Sequence, residues 1–311
     1  MKLIRMKRSR SPERSRRVMV PAICLLLLAT DSPGQSLDIF DSARISPRST
    51  GMGTVSGPVA DDASALYLNP AGLVLARGII LYGEYGGGGE EGSDRARGIL
   101  VYPLGRLALG GGYFRRNGQQ DLTGESIALG AAFRILEGAQ GSFLSAGINL
   151  RVDRISRMDE DGCIPCGTSG ESDNAFSMDM GAMLRPLPMI SISYVVTDLP
   201  EPRLTTDYGA YRPSRQQRWG LAWIWENRLM AGWQHVSAET GGGDSFGFSF
   251  RTDSPLELMA GYTSDKVTGG IRWLQSRFDG TLSFIPLEEG DIYTSVSVQI
   301  YFRRRPDDIV Q

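Results

Sequence analysis

The sequence has little of the chemistry on which metal sites and redox centres depend. It contains one histidine, His235, and three cysteines in 311 residues. Cys24 lies in an apolar run near the N-terminus, which leaves Cys163 and Cys166 of the motif CIPCG. A tetrahedral zinc site needs two more ligands, and the sequence has no second cysteine pair to provide them. We therefore expect neither a metal nor another cofactor.

Candidate catalytic residues are equally scarce. A Ser-His-Asp arrangement would have to use His235, at the end of the segment LMAGWQH, and no nucleophile motif stands near it. Asp61 and Asp62 could act as a general acid and base, but the capping of a short helix explains them as well. We therefore expect that the protein is not an enzyme.

Long apolar runs are also missing. The run VMVPAICLLLLA, from Val18 to Ala29, is shorter than the roughly 20 residues that a membrane-spanning helix needs. It follows a basic stretch and precedes small residues, an order typical of a secretory signal peptide. We assign residues 1–36 to this signal, with a buried N-terminal helix as the alternative. In an exported chain, Cys163 and Cys166 are expected to form a disulfide within a loop.

The chain has no excess of positive charge. Its net charge is −2, and removal of residues 1–36, which carry eight basic and two acidic side chains, lowers the charge to −8. Proteins that bind nucleic acids present a basic face to the phosphates. We therefore expect no nucleic acid partner.

What the sequence does have is a regular alternation of apolar and polar residues after residue 77. In DIYTSVSVQIYF, Ile292, Val296 and Ile300 fall on one face, whereas Tyr293 and Ser297 fall on the other. A period of two predicts strands with one apolar and one polar face. Fourteen segments show this pattern, at residues 78–86, 95–102, 106–114, 124–135, 142–152, 174–184, 188–197, 217–226, 228–236, 244–251, 255–263, 266–274, 277–285 and 291–302.

The number, length and connections of these segments favour a transmembrane barrel over the alternative, a secreted soluble sandwich or barrel. A tilted transmembrane strand needs about 9–11 residues, and bacterial barrels have an even number of strands. Connections after even-numbered segments are short, whereas those after odd-numbered segments include the two longest, 153–173 and 198–216. Short periplasmic turns and long outer loops would produce this difference. Aromatic residues at segment ends are compatible with interfacial girdles: Tyr102, Trp225, Trp233, Tyr262 and Trp273.

We therefore predict an all-β fold, a fourteen-stranded antiparallel transmembrane β-barrel over residues 78–302. The barrel would cross the outer membrane many times, contact its lipid and be inserted by barrel-assembly machinery. Residues 303–311 would form a periplasmic tail, and both ends of the mature chain would lie on the periplasmic side.

The predicted inward faces carry two kinds of informative residue. Glycines would leave space inside the barrel: Gly110, Gly112, Gly130, Gly147, Gly181, Gly220, Gly232, Gly247 and Gly261. Charged residues indicate either a wet interior or anchors for a segment folded into it: Arg134, Arg151, Asp179, Arg218, Glu257 and Arg272.

Residues 37–77, before the first strand, are the candidate for such a segment. The glycines at 51, 53 and 57 neither follow a strand nor precede a lysine and a Ser/Thr, so they do not form a nucleotide-binding loop. Asp61 or Asp62 can cap a helix over ASALYL, and Asn69-Pro70 ends this helix. The segment is either a loose periplasmic extension or a plug in the lumen.

The stretch SARISPRSTGMGTVSGPVADDASALYLNPAGL resembles the N-terminal region of outer-membrane barrels of the FadL and PorV/PorQ superfamily. The matching residues are Met52-Gly53, Ala60 to Leu66 and Asn69 to Gly72. The resemblance implies a fourteen-stranded barrel with an N-terminal plug, or hatch. It assigns to the plug motif the residues Met52, Gly53, Asp61, Asp62, Asn69, Pro70, Ala71 and Gly72.

The resemblance implies two different functions. Members of the PorV/PorQ type serve protein secretion to the cell surface by the type IX route, whereas FadL-type members carry long-chain fatty acids and other hydrophobic compounds inward. The short chain and modest outer loops are more similar to the PorV/PorQ type. We therefore expect an accessory of protein secretion or surface transport that contacts secretion-system components. A channel for hydrophobic small molecules is the alternative.

Overall fold

The computed structural model describes residues 44–88, 94–117, 122–138, 141–157, 172–206, 209–211, 213–226, 228–239, 241–287 and 291–302. The predicted signal peptide, the predicted tail at 303–311 and the predicted Cys163–Cys166 disulfide lie outside the described residues.

Fourteen antiparallel strands form a closed barrel, which confirms the predicted fold class. β1 pairs with β2 on one side and with β16 on the other, so the barrel sheet has no free edge. Two short strands, β8 and β9, form a separate sheet between β7 and β10. The strands are β1 (Ile79–Gly87), β2 (Arg95–Leu104), β3 (Leu107–Asn117), β4 (Leu122–Glu137), β5 (Phe143–Arg157), β6 (Ser172–Leu187), β7 (Ile190–Leu199), β8 (Leu204–Thr206), β9 (Gly209–Tyr211), β10 (Gln216–Trp225), β11 (Leu229–Ala238), β12 (Gly241–Arg251), β13 (Leu256–Thr263), β14 (Lys266–Leu274), β15 (Phe278–Pro286) and β16 (Ile292–Phe302).

The alternation of the sequence becomes an apolar outer face and a mainly polar inner face. In β4, Ile127 and Leu129 are 59% and 67% exposed, whereas Ser126 and Ala128 beside them are completely buried. Hydrocarbon offers no hydrogen-bond partners to the backbone, so a sheet in lipid has to close on itself. A closed sheet with an exposed apolar outer face is the architecture of a transmembrane barrel.

Three strands and one hairpin extend beyond what the sequence predicted. β4, β5 and β6 are longer at one or both ends than the predicted segments. Beyond Val152, β5 continues through Asp153 and Ser156 and remains paired with β4 and β6. A strand that extends beyond the lipid can remain paired without an apolar face. The alternation of apolar and polar residues therefore stops before the strand ends. β8 and β9 have three residues each and are too short to show a period of two.

The two ends of the barrel differ in their connections. One end, called the short-turn end below, carries six connections of two to five residues: 105–106, 138–142, 188–189, 226–228, 252–255 and 275–277. The start of β1 and the end of β16 also lie there, because Ile79 pairs with Phe302. The strand ends that flank the two longest connections, 158–171 and 200–215, lie at the opposite end, as do those that flank the short connections 239–240 and 264–265. The contrast in length is therefore real but less complete than predicted.

Among residues 45–78, four short helices precede β1. They are α1 (Pro47–Gly51), a 3-10 helix (Gly57–Val59), α2 (Ala65–Leu68) and a second 3-10 helix (Pro70–Leu75). In α1, the Ser46 hydroxyl accepts a hydrogen bond from the Ser49 amide and the Ser49 hydroxyl accepts one from the Ser46 amide, a reciprocal capping box. α2 ends at the predicted place before Asn69, but α1 and the 3-10 helices were not predicted.

No helix among the described residues has both the length and the apolar character needed to cross a membrane.

Candidate functional site

Residues 44–77, called the lumen segment below, lie inside the barrel. Met52, Val55, Leu66 and Leu73 are at most 1% exposed, and all pack against inward-facing residues of the wall. α1 contacts β13 to β16, the first 3-10 helix contacts β7, β10 and β11, and the second contacts β2 to β6. The segment therefore touches the wall on opposite sides of the lumen.

Glycines of the wall make room for the lumen segment. At each of nine inward glycines, a methyl group in place of the hydrogen would come within 3.2 Å of an atom of the segment. By contrast, a methyl group at the outward-facing Gly83, Gly98 or Gly280 would meet nothing within 4 Å. We call the nine the glycine ring; they lie on β3 to β6 and β10 to β13: Gly110, Gly112, Gly130, Gly147, Gly181, Gly220, Gly232, Gly247 and Gly261.

Neutral polar side chains of one side of the wall bind the backbone of the lumen segment. The Gln234 amide oxygen accepts hydrogen bonds from the amides of Ser56 (3.1 Å) and Gly57 (2.9 Å), and its amino group donates to the Thr54 carbonyl. Thr268 accepts from the Gly53 amide at 3.0 Å, and Gln299 accepts from the Ala63 amide at 3.0 Å. Buried backbone groups need such partners, which explains why polar side chains occupy these inward positions.

The opposite side of the wall binds carbonyl oxygens of the segment. Arg97 donates to the Ile45 carbonyl at 2.7 Å, Ser145 to the Ala71 carbonyl at 3.0 Å and Arg134 to the Val74 carbonyl at 3.0 Å. The segment is thus hydrogen-bonded to the wall from its first described residues to the start of β1.

Two apolar clusters accompany these hydrogen bonds. Leu66, Tyr67 and Leu73 pack against a cluster on the wall that includes Ile99 and Phe114. Across the lumen, a second cluster joins three segment residues to three wall residues: Met52, Val55, Val59, Ala222, Met230 and Met259. Full burial of one such large side chain stabilises a fold by about 1.5–3 kcal/mol, so both clusters hold the segment in place.

The Met-Gly element of the predicted plug motif makes the closest approach to the wall. Gly53 has a φ of +65°, which favours glycine, and a side chain there would collide with the backbone of Phe246 and Tyr262. Met52, next to it, is completely buried. Glycine at this position lets the segment backbone lie directly against the backbone of β12 and β13.

The Asn-Pro-Ala-Gly element ties the lumen segment to itself. Asn69 donates to the Gly57 carbonyl at 3.1 Å and accepts from the Ala71 amide at 3.1 Å. A methyl group at Gly72 would lie 2.0 Å from the Ala60 carbonyl oxygen, so only glycine fits there. Pro70 begins the 3-10 helix that leads to β1. These four residues fold the segment back on the earlier Gly57–Ala60 stretch.

The adjacent aspartates of the motif have separate partners. Asp62 accepts hydrogen bonds from the amide (2.9 Å) and the hydroxyl of Ser64, just before α2. Asp61 forms an ion pair with Arg48, which also donates to the Val59 carbonyl at 3.1 Å. Burial alone would raise the pKa of Asp61, but the positive charge of Arg48, assisted by Arg272, lowers it below its usual value. Asp61 is therefore a carboxylate at neutral pH.

Two of the six predicted lumen-facing charged residues contact the lumen segment, as expected for anchors. Arg134 anchors the segment through Val74, and Glu257 lies 3.8 Å from Arg48. The others pair mainly within the wall, where Arg151 lies 3.3 Å from Asp179 and Arg272 lies 2.8 Å from Asp279. Arg218 donates to Gln216 at 3.3 Å.

A second charged cluster lies at the bulge where β6 and β7 lose register near Asp179. Arg151 is completely buried and lies 3.5 Å from Asp153 and 2.5 Å from Asp198, which also pairs with Arg44 of the lumen segment. Sequence analysis named Arg151 and Asp179 but missed Asp198, because its position in a predicted loop gave no sign that it faces the lumen.

His235 lies away from the lumen. Its Nδ1 is 3.0 Å from the Asp244 carboxylate, its side chain is 41% exposed, and its ring stacks on that of Trp233. Neither Asp61 nor Asp62 is near this pair, since both belong to the lumen segment. The structure therefore does not bring the candidate catalytic residues together.

A cavity of about 640 Å³ lies between the lumen segment and the short-turn end. Arg48, Asp61 and Arg77 line its inner side, and Gly105, Pro188 and Arg228 of the short turns line its rim. Sequence analysis missed this site, because its residues come from seven separated parts of the chain and share no motif.

No protein-family model matches the sequence, and no curated protein matches it. Solved structures do share its fold. The toluene transporter TbuX of Ralstonia pickettii has 14% identity, covers 85% of this chain and 100% of its own, and gives a TM-score of 0.59. The toluene transporter TodX of Pseudomonas putida has 13% identity over 83% and 98% of the two chains, with a TM-score of 0.60.

A FadL homologue of Pseudomonas aeruginosa also shares the fold, at 12% identity over 83% of this chain and 98% of its own, with a TM-score of 0.57. At these identities the similarity shows a common barrel architecture. It agrees with the broader part of the predicted family resemblance, while nothing in it points to the PorV/PorQ type.

Proposed function

We propose that this protein is an outer-membrane channel for small hydrophobic or amphiphilic molecules, which the lumen segment keeps closed. The observation that carries the proposal is the glycine ring. At these nine positions the wall has no side chains, and the segment occupies the space that side chains would fill. A wall built in this way has an interior path only when the segment moves. Closed and open states would then exchange populations as cargo binds.

The cargo class rests on the similar solved structures. TbuX and TodX are described as toluene transporters, and the third structure is a FadL homologue. These proteins support the alternative considered in the sequence analysis better than its main expectation, an accessory of type IX-like protein secretion. Among the described residues, none of the contacts favours a secretion role over a channel.

We also propose an orientation for the chain in the outer membrane. We place the short-turn end in the periplasm, with residues 1–36 removed as a signal, residues 37–77 as the plug and residues 303–311 as a periplasmic tail. The cavity would then be the last compartment on an inward path. The predicted plug motif would act by folding the segment back on itself through Asn69, Gly72 and the Arg48–Asp61 pair.

A reversible lock tests whether the lumen segment has to move. A β-carbon built at Gly232 would lie 3.8 Å from the β-carbon of Val55, the usual separation in a disulfide. The double variant Val55→Cys/Gly232→Cys, in a background with Cys163 and Cys166 replaced by serine, would link the segment to β11. In proteoliposomes we expect the oxidised variant to stop the uptake of a fluorescent naphthylamine, and a reductant to restore it.

The two single-cysteine variants are the controls, because they carry the same substitutions but cannot form the link. A variant lacking residues 44–68 should fold, conduct more in planar bilayers and take up the probe faster than the parent. Uptake by the oxidised double variant at the rate of the single variants would show that cargo does not pass the segment. A deletion variant that conducts no more than the parent would refute the plug.

A further inference from the structure

The cavity at the short-turn end has an unusual charge balance. Seven arginines and four carboxylates line it, and its walls also carry apolar side chains such as Ile224, Leu229 and Met230. The cavity thus combines an excess of positive charge with hydrophobic surface. Its volume of about 640 Å³ lies within the range of small-molecule sites, which is roughly 300–1,000 Å³.

The four carboxylates of the cavity are all engaged by three of its arginines. Arg48 pairs with Asp61, and Arg134 lies 3.1 Å from Glu137. Arg272 binds the other two, at 3.6 Å from Glu257 and 2.8 Å from Asp279. These three arginines therefore take up all four carboxylates that line the cavity, and none of the four pairs with Arg185.

Arg185 carries part of the excess positive charge of the cavity. Its Nε is buried and has no hydrogen-bond partner, and no ion pair joins it to any of the described residues. Its guanidinium carbon lies 5.6 Å from the centroid of the Phe143 ring, and that of Arg134 lies 5.5 Å from the same ring. Phe143 is the direct neighbour of Arg185 across the β5–β6 pair, so the ring holds the guanidinium in place.

A guanidinium that is held in place without a carboxylate is suited to an incoming anion. Arginine has five N–H donors in a planar fork, which match the two oxygens of one carboxylate. The cation–π contact with Phe143 orients this fork but satisfies none of its donors. A partly buried charge without a counter-charge is costly, so an anion that supplies one gains binding energy.

We propose that Arg185 is the anion-binding residue of a site for an organic carboxylate with a small apolar body. The carboxylate would accept two hydrogen bonds from Arg185, and the apolar body would lie against Phe143, Leu229 and Met230. A monoanion fits better than a dianion such as phosphate, because Glu137 and Glu257 line the same cavity and would repel the second charge. The site stands on the cavity alone, whereas its place on a transport path rests on the proposed function.

Calorimetric titration of the full protein in a non-ionic detergent with sodium benzoate tests the site. We expect benzoate to bind and its affinity to fall as salt is added, whereas the neutral benzamide should bind weakly and without salt dependence. Charge-assisted hydrogen bonds predict that Arg185→Gln weakens benzoate binding by about 10- to 100-fold. Arg185→Lys keeps the positive charge but lacks the planar fork of donors, so its affinity for benzoate should lie between those of the parent and Arg185→Gln.

Arg228→Gln is the matched control. Arg228 lines the rim of the same cavity, but its side chain is 59% exposed and pairs with Asp253 at 2.6 Å. This variant should bind benzoate within about twofold of the parent, since exposed ion pairs contribute little. A heat-dependent shift on detergent gels verifies that each variant is a folded barrel.

Three results would overturn the site. They are benzoate binding by Arg185→Gln within twofold of the parent, equal losses in Arg185→Gln and Arg228→Gln, and displacement of benzoate by equimolar inorganic phosphate. If Arg185→Gln does not fold, the parent protein still tests the site, because benzoate affinity that does not fall with added salt would contradict it. Uptake of hydrophobic probes without benzoate binding would refute the site but not the channel. Benzoate binding without any uptake of probes would refute the channel but not the site.

Discussion

The contact between Gly261 and the lumen segment allows the packing of the closed state to be tested directly. A methyl group at Gly261 would lie 2.0 Å from the Gly53 nitrogen and 2.3 Å from the Met52 carbonyl carbon. Ordinary contact begins at 3.4 Å, so the segment and the wall would have to separate by about 1.4 Å. Gly261 cannot recede freely, because β13 is paired with β12 through Gly247 and with β14 through Thr268.

The segment can yield only by giving up contacts of its own. A displacement of this size would break the 3.0 Å hydrogen bond from the Gly53 amide to Thr268, which stabilises the closed state by about 0.5–1.5 kcal/mol. It would also loosen the completely buried Met52. Overpacking of a well-filled interior typically costs about 1–3 kcal/mol. We therefore expect Gly261→Ala to raise the open fraction roughly five- to hundredfold.

Single-channel recording in planar bilayers measures this fraction as the frequency and duration of open events. Gly280→Ala is the matched control: it adds the same methyl group to the next-but-one strand, β15, where nothing lies within 4 Å. It should gate like the parent. If Gly261→Ala also gates like the parent and melts at the same temperature, the segment does not press against β13 and the reasoning from the glycine ring is wrong.

Two further predictions concern the lumen segment and the cysteine pair Cys163 and Cys166. Arg48 lowers the pKa of Asp61, so their pair should persist from neutral pH downward and break only below the ordinary pKa of an aspartate. Conductance should rise in that acid range, and Asp61→Asn should show the same rise already at pH 7. Unchanged gating in Asp61→Asn would contradict this. Cys163 and Cys166 should form a disulfide that adds little stability, because the bond closes a very short loop. Mass spectrometry that finds two free thiols in protein isolated without reductant would disprove the disulfide.

The barrel could be predicted because the pattern that reveals its strands lies within short stretches of the sequence. Inward and outward positions alternate along each strand, so residues such as Ile292, Val296 and Ile300 reveal the membrane face without knowledge of their neighbours. The inward glycines were visible for the same reason, as small residues at positions of the correct parity. The ends of β4, β5 and β6 were less predictable, because backbone pairing continues after the apolar face has ended.

The interior could not be predicted to the same depth because its contacts join distant parts of the chain. Gln234 binds residues that precede it by nearly 180 positions, and in the sequence it is an ordinary polar residue of an alternating strand. Arg185 was not singled out, since its significance lies in the partners that it lacks among the described residues. A pattern within one strand carries no information about such relations.

In the proposed channel, the distribution of the contacts explains how the lumen segment can close the barrel and yet leave the wall intact when it moves. Most ion pairs of the interior lie within the wall, as between Arg151 and Asp179, or within the segment, as between Arg48 and Asp61. The wall and the segment are joined mainly by hydrogen bonds to backbone groups and by apolar packing. Release of the segment would therefore leave the wall's charges neutralised, and the ring glycines have no side chains with which to fill the space. A vacated lumen would stay open, which is what a gate requires.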